Sequence, residues 1–190
     1  GKSTMVQTLF SELTDRQLVV ASLTSTNLGA ADILQAVCHS FDVYGDANNK
    51  ASLVIAIDNF LKAKARQGKR VILIGDEAHN LPQVSLEELR MLSNFQLGDQ
   101  SLLQIMLLVQ HQLPDILARP DMEQLSQRVI ASCHLKPLNK DETRFYIGHR
   151  LQCVGWRWDP SISAEAVAVV YAASTGIPRL INIFCDRMLL

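Results

Sequence analysis

The sequence has no surplus of charge of either sign. Lys and Arg number 18 and Asp and Glu 19, a formal net charge of −1. No global basic field therefore draws the chain to nucleic acid or to an anionic membrane, and only local patches remain to be considered. No apolar run approaches the roughly 20 residues that a membrane-spanning helix needs. No signal-peptide pattern opens the chain. The four cysteines, Cys38, Cys133, Cys153 and Cys185, include no CxxC pair and no His at zinc-ligand spacing. They read as reduced, mostly buried thiols of a cytosolic domain. Internal repeats and low-complexity segments are missing too. What remains is a packed globular composition, 48% hydrophobic and 19% charged over 190 residues. That is long enough for one substantial domain with a small subdomain attached.

Hydrophobic periodicity divides the chain into two styles. Up to about residue 136, strands and helices alternate. The pattern predicts a helix over 4–14, a strand over 17–23, and helices over 30–41 and 50–67, the first capped by the polar loop 24–29 and the second ended by Gly68. Val71-Ile72-Leu73-Ile74 has no polar face, as expected of a strand covered on both sides of a parallel sheet. Ser85-Leu86-Glu87-Glu88 has capping-box spacing and predicts a helix from there to about 96, with Gly98 as its C-cap. Leu103–Val109 and Val129–Leu135 complete the strand candidates. From Pro137 onward only helices are predicted: about 140–152 capped by Asn139, 164–174 capped by Ser163, and a third starting at Pro178 after Gly176. The expected architecture is α/β, a three-layer αβα core with a parallel sheet (1–136) plus a small helical lid (137–190).

Three short motifs carry chemistry. Gly1-Lys2-Ser3-Thr4 matches the end of the phosphate-binding loop GxxxxGK[ST]. In that role Lys2 reaches the β/γ-phosphates, the Ser3 hydroxyl ligates Mg²⁺, and backbone N–H groups receive phosphate charge. The front of the loop and its strand are expected upstream in a longer parent chain, which Arg187–Leu190, ending inside an apolar helical pattern, also suggests at the other end. Without that central strand the given span is expected to fold poorly. Second, the strand 71–74 runs into Gly75-Asp76-Glu77. Acids at the carboxyl end of a parallel strand lie where such sheets bind ligands. Asp76 suits Mg²⁺, and Glu77 suits the water that attacks a γ-phosphate. Third, Gly176-Ile177-Pro178-Arg179 opens a helix whose arginine can point at phosphates, and Arg128 precedes a strand candidate from which it can reach a neighbouring subunit's site. Phosphate loop, helix, then a later strand with Asp-Glu is the order of a P-loop ATPase.

Other features have plainer readings. Asp76-Glu77-Ala78-His79 spells the DEAH of some helicases, but the other helicase features are missing; His79 is expected to pack near the acids or approach the γ-phosphate through water. Lys62, Lys64, Arg66, Lys69 and Arg70 suit the end of a helix as a solvated face. Trp156 and Trp158 are expected to pack against the helical lobe.

Together these stretches resemble the AAA+ ATPase domain of the general secretion pathway protein A family (ExeA/GspA, with its pilus-biogenesis relative MshM). Asp76 to Leu81 is similar to that family's DEAQNL, and Ser85 to Asn94 to its following helix. Leu117-Ala118-Arg119-Pro120 and Gln124 to Arg128 resemble its LARP…QLRQR, and Gly176 to Leu190 its sensor 2 helix. The resemblance implies an ATPase using ATP and Mg²⁺, with Gly1, Lys2, Ser3 and Thr4 in Walker A and Asp76 and Glu77 in Walker B. Arg128 would be the arginine finger and Arg179 sensor 2. The family's sensor 1 sequence is altered here; Gln110 takes that place, with His111 and Gln112 as alternatives. It also implies a homo-oligomer on the cytoplasmic side of the inner membrane. An ExeB/GspB-like inner-membrane partner, and peptidoglycan contacted through a region outside this chain, would let it help place a secretin. Nucleic acid is not an expected partner. Two other readings stand beside this one: a DNA-associated AAA+ regulator of the transposition type, and a nucleotide switch without turnover.

Overall fold

The computed structural model describes residues 6, 8, 17–23, 28–109, 126, 127, 129–157, 159 and 161–189. The chain forms two compact units, Lys2–Ala131 and Ser132–Leu190.

The first unit is built on three parallel strands in the order β1 (Leu18–Leu23), β2 (Arg70–Gly75), β5 (Leu103–Leu107). Strand β2 is central, with Val20 opposite Ile72 on one side and Leu73 opposite Ile105 on the other. Its apolar run has no polar face because both sides are covered. Val71 and Leu73 face α1 (Ala30–Ser40), α2 (Lys50–Arg66) and α3 (Gln83–Ser93), packing with Ile33, Ile57 and Leu89. Ile72 and Ile74 face the other way, against helical Val6 and the strand residues Val20 and Met106. This alternation makes the layered α/β architecture. Burying side chains such as Leu73 or Ile33 contributes about 1.5–3 kcal/mol each.

Local chemistry sets most element ends. Asn49 caps α2, its side chain accepting the N–H groups of Ala51 and Ser52. Gly68 ends that helix at φ +71, and the Lys69 N–H returns to Lys64 O at 3.0 Å. The basic run is only partly a solvated face: Arg66 and Arg70 are exposed, but Lys62 is half-buried and pairs with Asp58 at 2.6 Å, and half-buried Lys64 lies over the Phe60 ring.

Several sequence expectations need correction. Helix α3 starts at Gln83 with Pro82 as N-cap, so Ser85 is inside the helix and forms no capping box. Its fully buried hydroxyl donates instead to Leu28 O, which ties α3 to the segment before α1. Helix α3 ends at Ser93, well short of Gly98. Gly98 and Asp99 form the turn of a small antiparallel hairpin, β3 (Gln96–Leu97) with β4 (Gln100–Ser101), and Gly98 takes φ +62 there. The cap of α1 is Gly29, with no side-chain bond. Residues 129–139 form neither helix nor strand, and Ile130 is 100% exposed. The expected strand Val129–Leu135 therefore fails, because an apolar run becomes a strand only when another strand offers it an edge; none of the described strands pairs with it.

The second unit contains α4 (Lys140–Gln152), α5 (Ala164–Ser174) and α6 (Pro178–Leu189). Here a capping box does form: Asn139 Oδ1 accepts from Glu142 N–H, and Glu142 Oε2 accepts from Asn139 N–H at 2.8 Å. Ser163 caps α5 by accepting from Ala166 N–H at 3.1 Å. Ile147, Val170 and Ile181, one from each helix, form the core, and the Tyr146 hydroxyl donates to Asn182 Oδ1 at 3.1 Å. Trp156 is half-buried; Trp158 lies outside the described residues. Cys38 is buried, but Cys133 and Cys153 are exposed, contrary to expectation. Cys133 sits in the irregular 129–139 stretch and Cys153 at the end of α4. Among the described residues no helix is long and apolar enough to cross a membrane.

Candidate functional site

Strand β2 delivers Asp76 and Glu77 to the carboxyl edge of the sheet. Gly75 is buried and close-packed, since a Cβ there would lie 3.0 Å from Leu107 Cδ2. The ladder extends just past it. Leu108 N–H donates to Gly75 O at 2.8 Å, and Asp76 N–H donates to Leu23 O at 3.2 Å. The two acids therefore emerge between the ends of β1 and β5, the ligand-binding edge of an open parallel sheet.

At Glu77 the backbone turns sharply, to φ 52 and ψ 36, the left-handed region. A residue with a Cβ pays about 1–3 kcal/mol for this, and such outliers persist where the surroundings over-determine them. Here they do. Glu77 N–H donates to Asp76 Oδ1 at 2.9 Å, Glu77 O accepts from Asn80 N–H at 2.9 Å, and Ala78 N–H donates to Leu108 O at 3.0 Å. The turn continues as a 3₁₀ segment, Ala78–Asn80, anchored by buried Ala78. It brings His79 back toward the acids, with Nε2 at 3.2 Å from Glu77 Oε2. His79 Nδ1 is buried with no hydrogen-bond partner among the described residues.

The donors suit Mg²⁺. A carboxylate has about four lone-pair positions, so Asp76 retains acceptor capacity beyond the Glu77 N–H. Mg²⁺ typically takes one or two carboxylates plus waters and phosphate oxygens, not a protein cage. Among the described residues no group of three or more His, Cys, Asp or Glu side chains could form such a cage.

The structure thus brings Asp76, Glu77 and His79 together. Arg179 is the second residue of α6 and is exposed in its own unit. Gly1, Lys2, Ser3, Thr4, Gln110, His111, Gln112 and Arg128 lie outside the described residues. Sequence reasoning missed the left-handed turn at Glu77, for which no residue-type signal exists. The expectation that His79 packs near the acids holds, with Glu77 as the acid it meets; the Ser85–Leu28 tie was missed. The hairpin did have a signal, the Gly-Asp pair at 98–99.

An open parallel sheet covered by helices, with paired acids at its carboxyl edge, defines an α/β protein with a candidate ligand site at the ends of its strands. The chain belongs to the AAA domain family, which residues 1–117 match. Over its whole length it is 35% identical to General secretion pathway protein A of Aeromonas hydrophila, and it spans about a third (35%) of that protein's length. The fold is similar to that of Cdc6p from Pyrobaculum aerophilum, with a TM-score of 0.67 at 15% identity over 97% of this chain and 51% of that one. It is also similar to the ADP form of the ORC2 protein of Aeropyrum pernix, with a TM-score of 0.62 at 12% identity over 92% of this chain and 48% of that one. At such identities the likeness establishes the fold alone.

Proposed function

We propose that the chain binds and hydrolyses ATP as the motor domain of a secretion or pilus-assembly ATPase that supports secretin assembly in the cell envelope. The observation that carries the reading is the Asp76-Glu77 pair, fixed at the carboxyl edge of β2 in a chain similar along its whole length to General secretion pathway protein A. The ADP bound by the ORC2 structure of like fold supports nucleotide as the ligand.

In this reading Asp76 and Ser3 would hold Mg²⁺. Bound Mg²⁺ would neutralise charge on the β- and γ-phosphate oxygens. Lys2 contacts those phosphates, and the backbone of Gly1 to Thr4 cradles them. Glu77 orients and polarises the attacking water. Gln110 senses the γ-phosphate, with His111 or Gln112 as alternatives, and Arg179 contacts the phosphates as sensor 2. Arg128 completes a neighbouring copy's site, which makes the working unit a homo-oligomer. The domain would lie on the cytoplasmic face of the inner membrane. Its partners would be an ExeB/GspB-like membrane protein and, through a region outside this chain, peptidoglycan.

Steady-state ATP hydrolysis by the full-length protein, measured across protein concentration beside Glu77→Gln, tests this. Turnover that rises more than linearly with concentration and vanishes in the variant is the expected result. Binding without turnover in both would replace the reading with a nucleotide switch. ATP-dependent retention of duplex DNA at moderate salt would replace it with a DNA-associated regulator.

A further inference from the structure

We propose that His79 is a positioning residue: its ring holds the Glu77 carboxylate in the arrangement from which that carboxylate acts on the attacking water. This deepens the ATPase reading and rests on it. The Glu77 backbone is locked by Asp76 Oδ1, Asn80 N–H and, one residue on, Leu108 O. A locked backbone still leaves a glutamate three side-chain torsions, so the direction of the carboxylate needs its own restraint. His79 supplies one, with Nε2 at 3.2 Å from Oε2.

The ring is well placed to act as the anchor of the pair. Its side chain is 22% exposed, against 42% for Glu77, so the more shielded partner restrains the more exposed one. The 3₁₀ turn that carries it is pinned by buried Ala78. Nδ1 has no partner among the described residues, so the ring's polar tether to them runs through Nε2. Small errors in the placement of a catalytic group are costly to rate while substrate binding is untouched. The role therefore has a kinetic signature that a merely structural histidine lacks.

The test uses the full-length protein and its His79→Ala, His79→Gln and Glu77→Gln variants. Turnover and nucleotide affinity are measured with ATP, and a long-range ¹H–¹⁵N spectrum of the ring nitrogens is recorded without ligand. In His79→Ala, kcat is expected to fall about tenfold, the scale of one hydrogen bond to a charged group, with ATP affinity within about twofold of the wild type. His79→Gln keeps an N–H donor and should recover most of that loss. The His79 Nε2 resonance should move in Glu77→Gln. A His79→Ala enzyme with unchanged kcat overturns the proposal, as does a loss that Gln fails to rescue or an unmoved ring resonance. If the wild type hydrolyses no ATP, the ATPase reading fails and a role in turnover fails with it. The ring resonance then reports separately whether the pair exists.

Discussion

Gly176 and Leu138 are locked backbone to backbone. Leu138 N–H donates to Gly176 O at 2.9 Å, and a Cβ on Gly176 would lie 1.8 Å from Leu138 O. Gly176 also sits at φ +74, and its N–H donates to the buried Ser174 hydroxyl at 3.3 Å. The contact joins the residue before the Asn139 cap of α4 to the turn that starts α6, three residues ahead of Arg179. The approach to the helical unit and the candidate sensor arginine are thus referenced to one another through backbone alone.

Gly176→Ala should therefore be severe. Positive φ and a collision with backbone atoms act together, and neither can be relieved by a rotamer change. Denaturant unfolding should show a loss of more than about 2 kcal/mol. A variant within about 0.5 kcal/mol of the wild type, the scale of an ordinary surface change, would contradict the close approach.

Arg179→Ala should behave in the opposite way. The side chain is exposed in its own unit, so unfolding should be almost unchanged. ATP affinity or turnover should fall. If both nucleotide parameters stay at wild-type values, Arg179 has no sensor role.

Ser85 and Glu88 can be told apart by mutation. A capping box would make both matter at the start of α3. The structure gives Ser85 a buried bond to Leu28 O and pairs Glu88 with the Lys50 ammonium at 2.5 Å, the lysine side chain exposed and the glutamate largely covered. Ser85→Ala is expected to cost about 1–2 kcal/mol, and Glu88→Ala less than about 1 kcal/mol. Equal losses in urea unfolding would favour the box.

Thiol labelling should separate the cysteines. Cys153 and Cys133 are exposed and should react fast at pH 8, while Cys38 should be protected. Burial raises the Cys38 thiol above its ordinary value of 9.0. The folded state then keeps that proton longer than the unfolded chain, so its contribution to stability is lost as pH rises past about 9. Rapid Cys38 labelling in the native protein would overturn the packing of α1 on α2.

Much of this architecture was legible in the residues themselves. An all-apolar run such as Val71–Ile74 can satisfy its side chains only inside a covered parallel sheet, and Asp76-Glu77 directly after it had to surface at the strand's carboxyl end. Asn139 with Glu142, and Ser163, mark helix starts through bonds made within a few residues, and Pro178 does so through its fixed φ and missing N–H, so local chemistry suffices. Interactions over long separations were not legible. Ser85-x-x-Glu88 has the same kind of spacing as Asn139-x-x-Glu142, yet only the second is a capping box. The Ser85 hydroxyl found a carbonyl 57 residues away, and Pro82 started the helix earlier. Val129–Leu135 reads as a strand, but a strand exists only if a neighbour presents an edge.

The sequence by itself thus determined the α/β class, the helix boundaries that rest on nearby caps, and the identity of the paired acids. Tertiary structure decided how those acids are held: the left-handed turn at Glu77, its bonds to Asp76, Asn80 and Leu108, and the return of His79 toward its carboxylate. Those features depend on where β1 and β5 end beside β2, and that alignment is a property of the packed sheet rather than of any short stretch of residues.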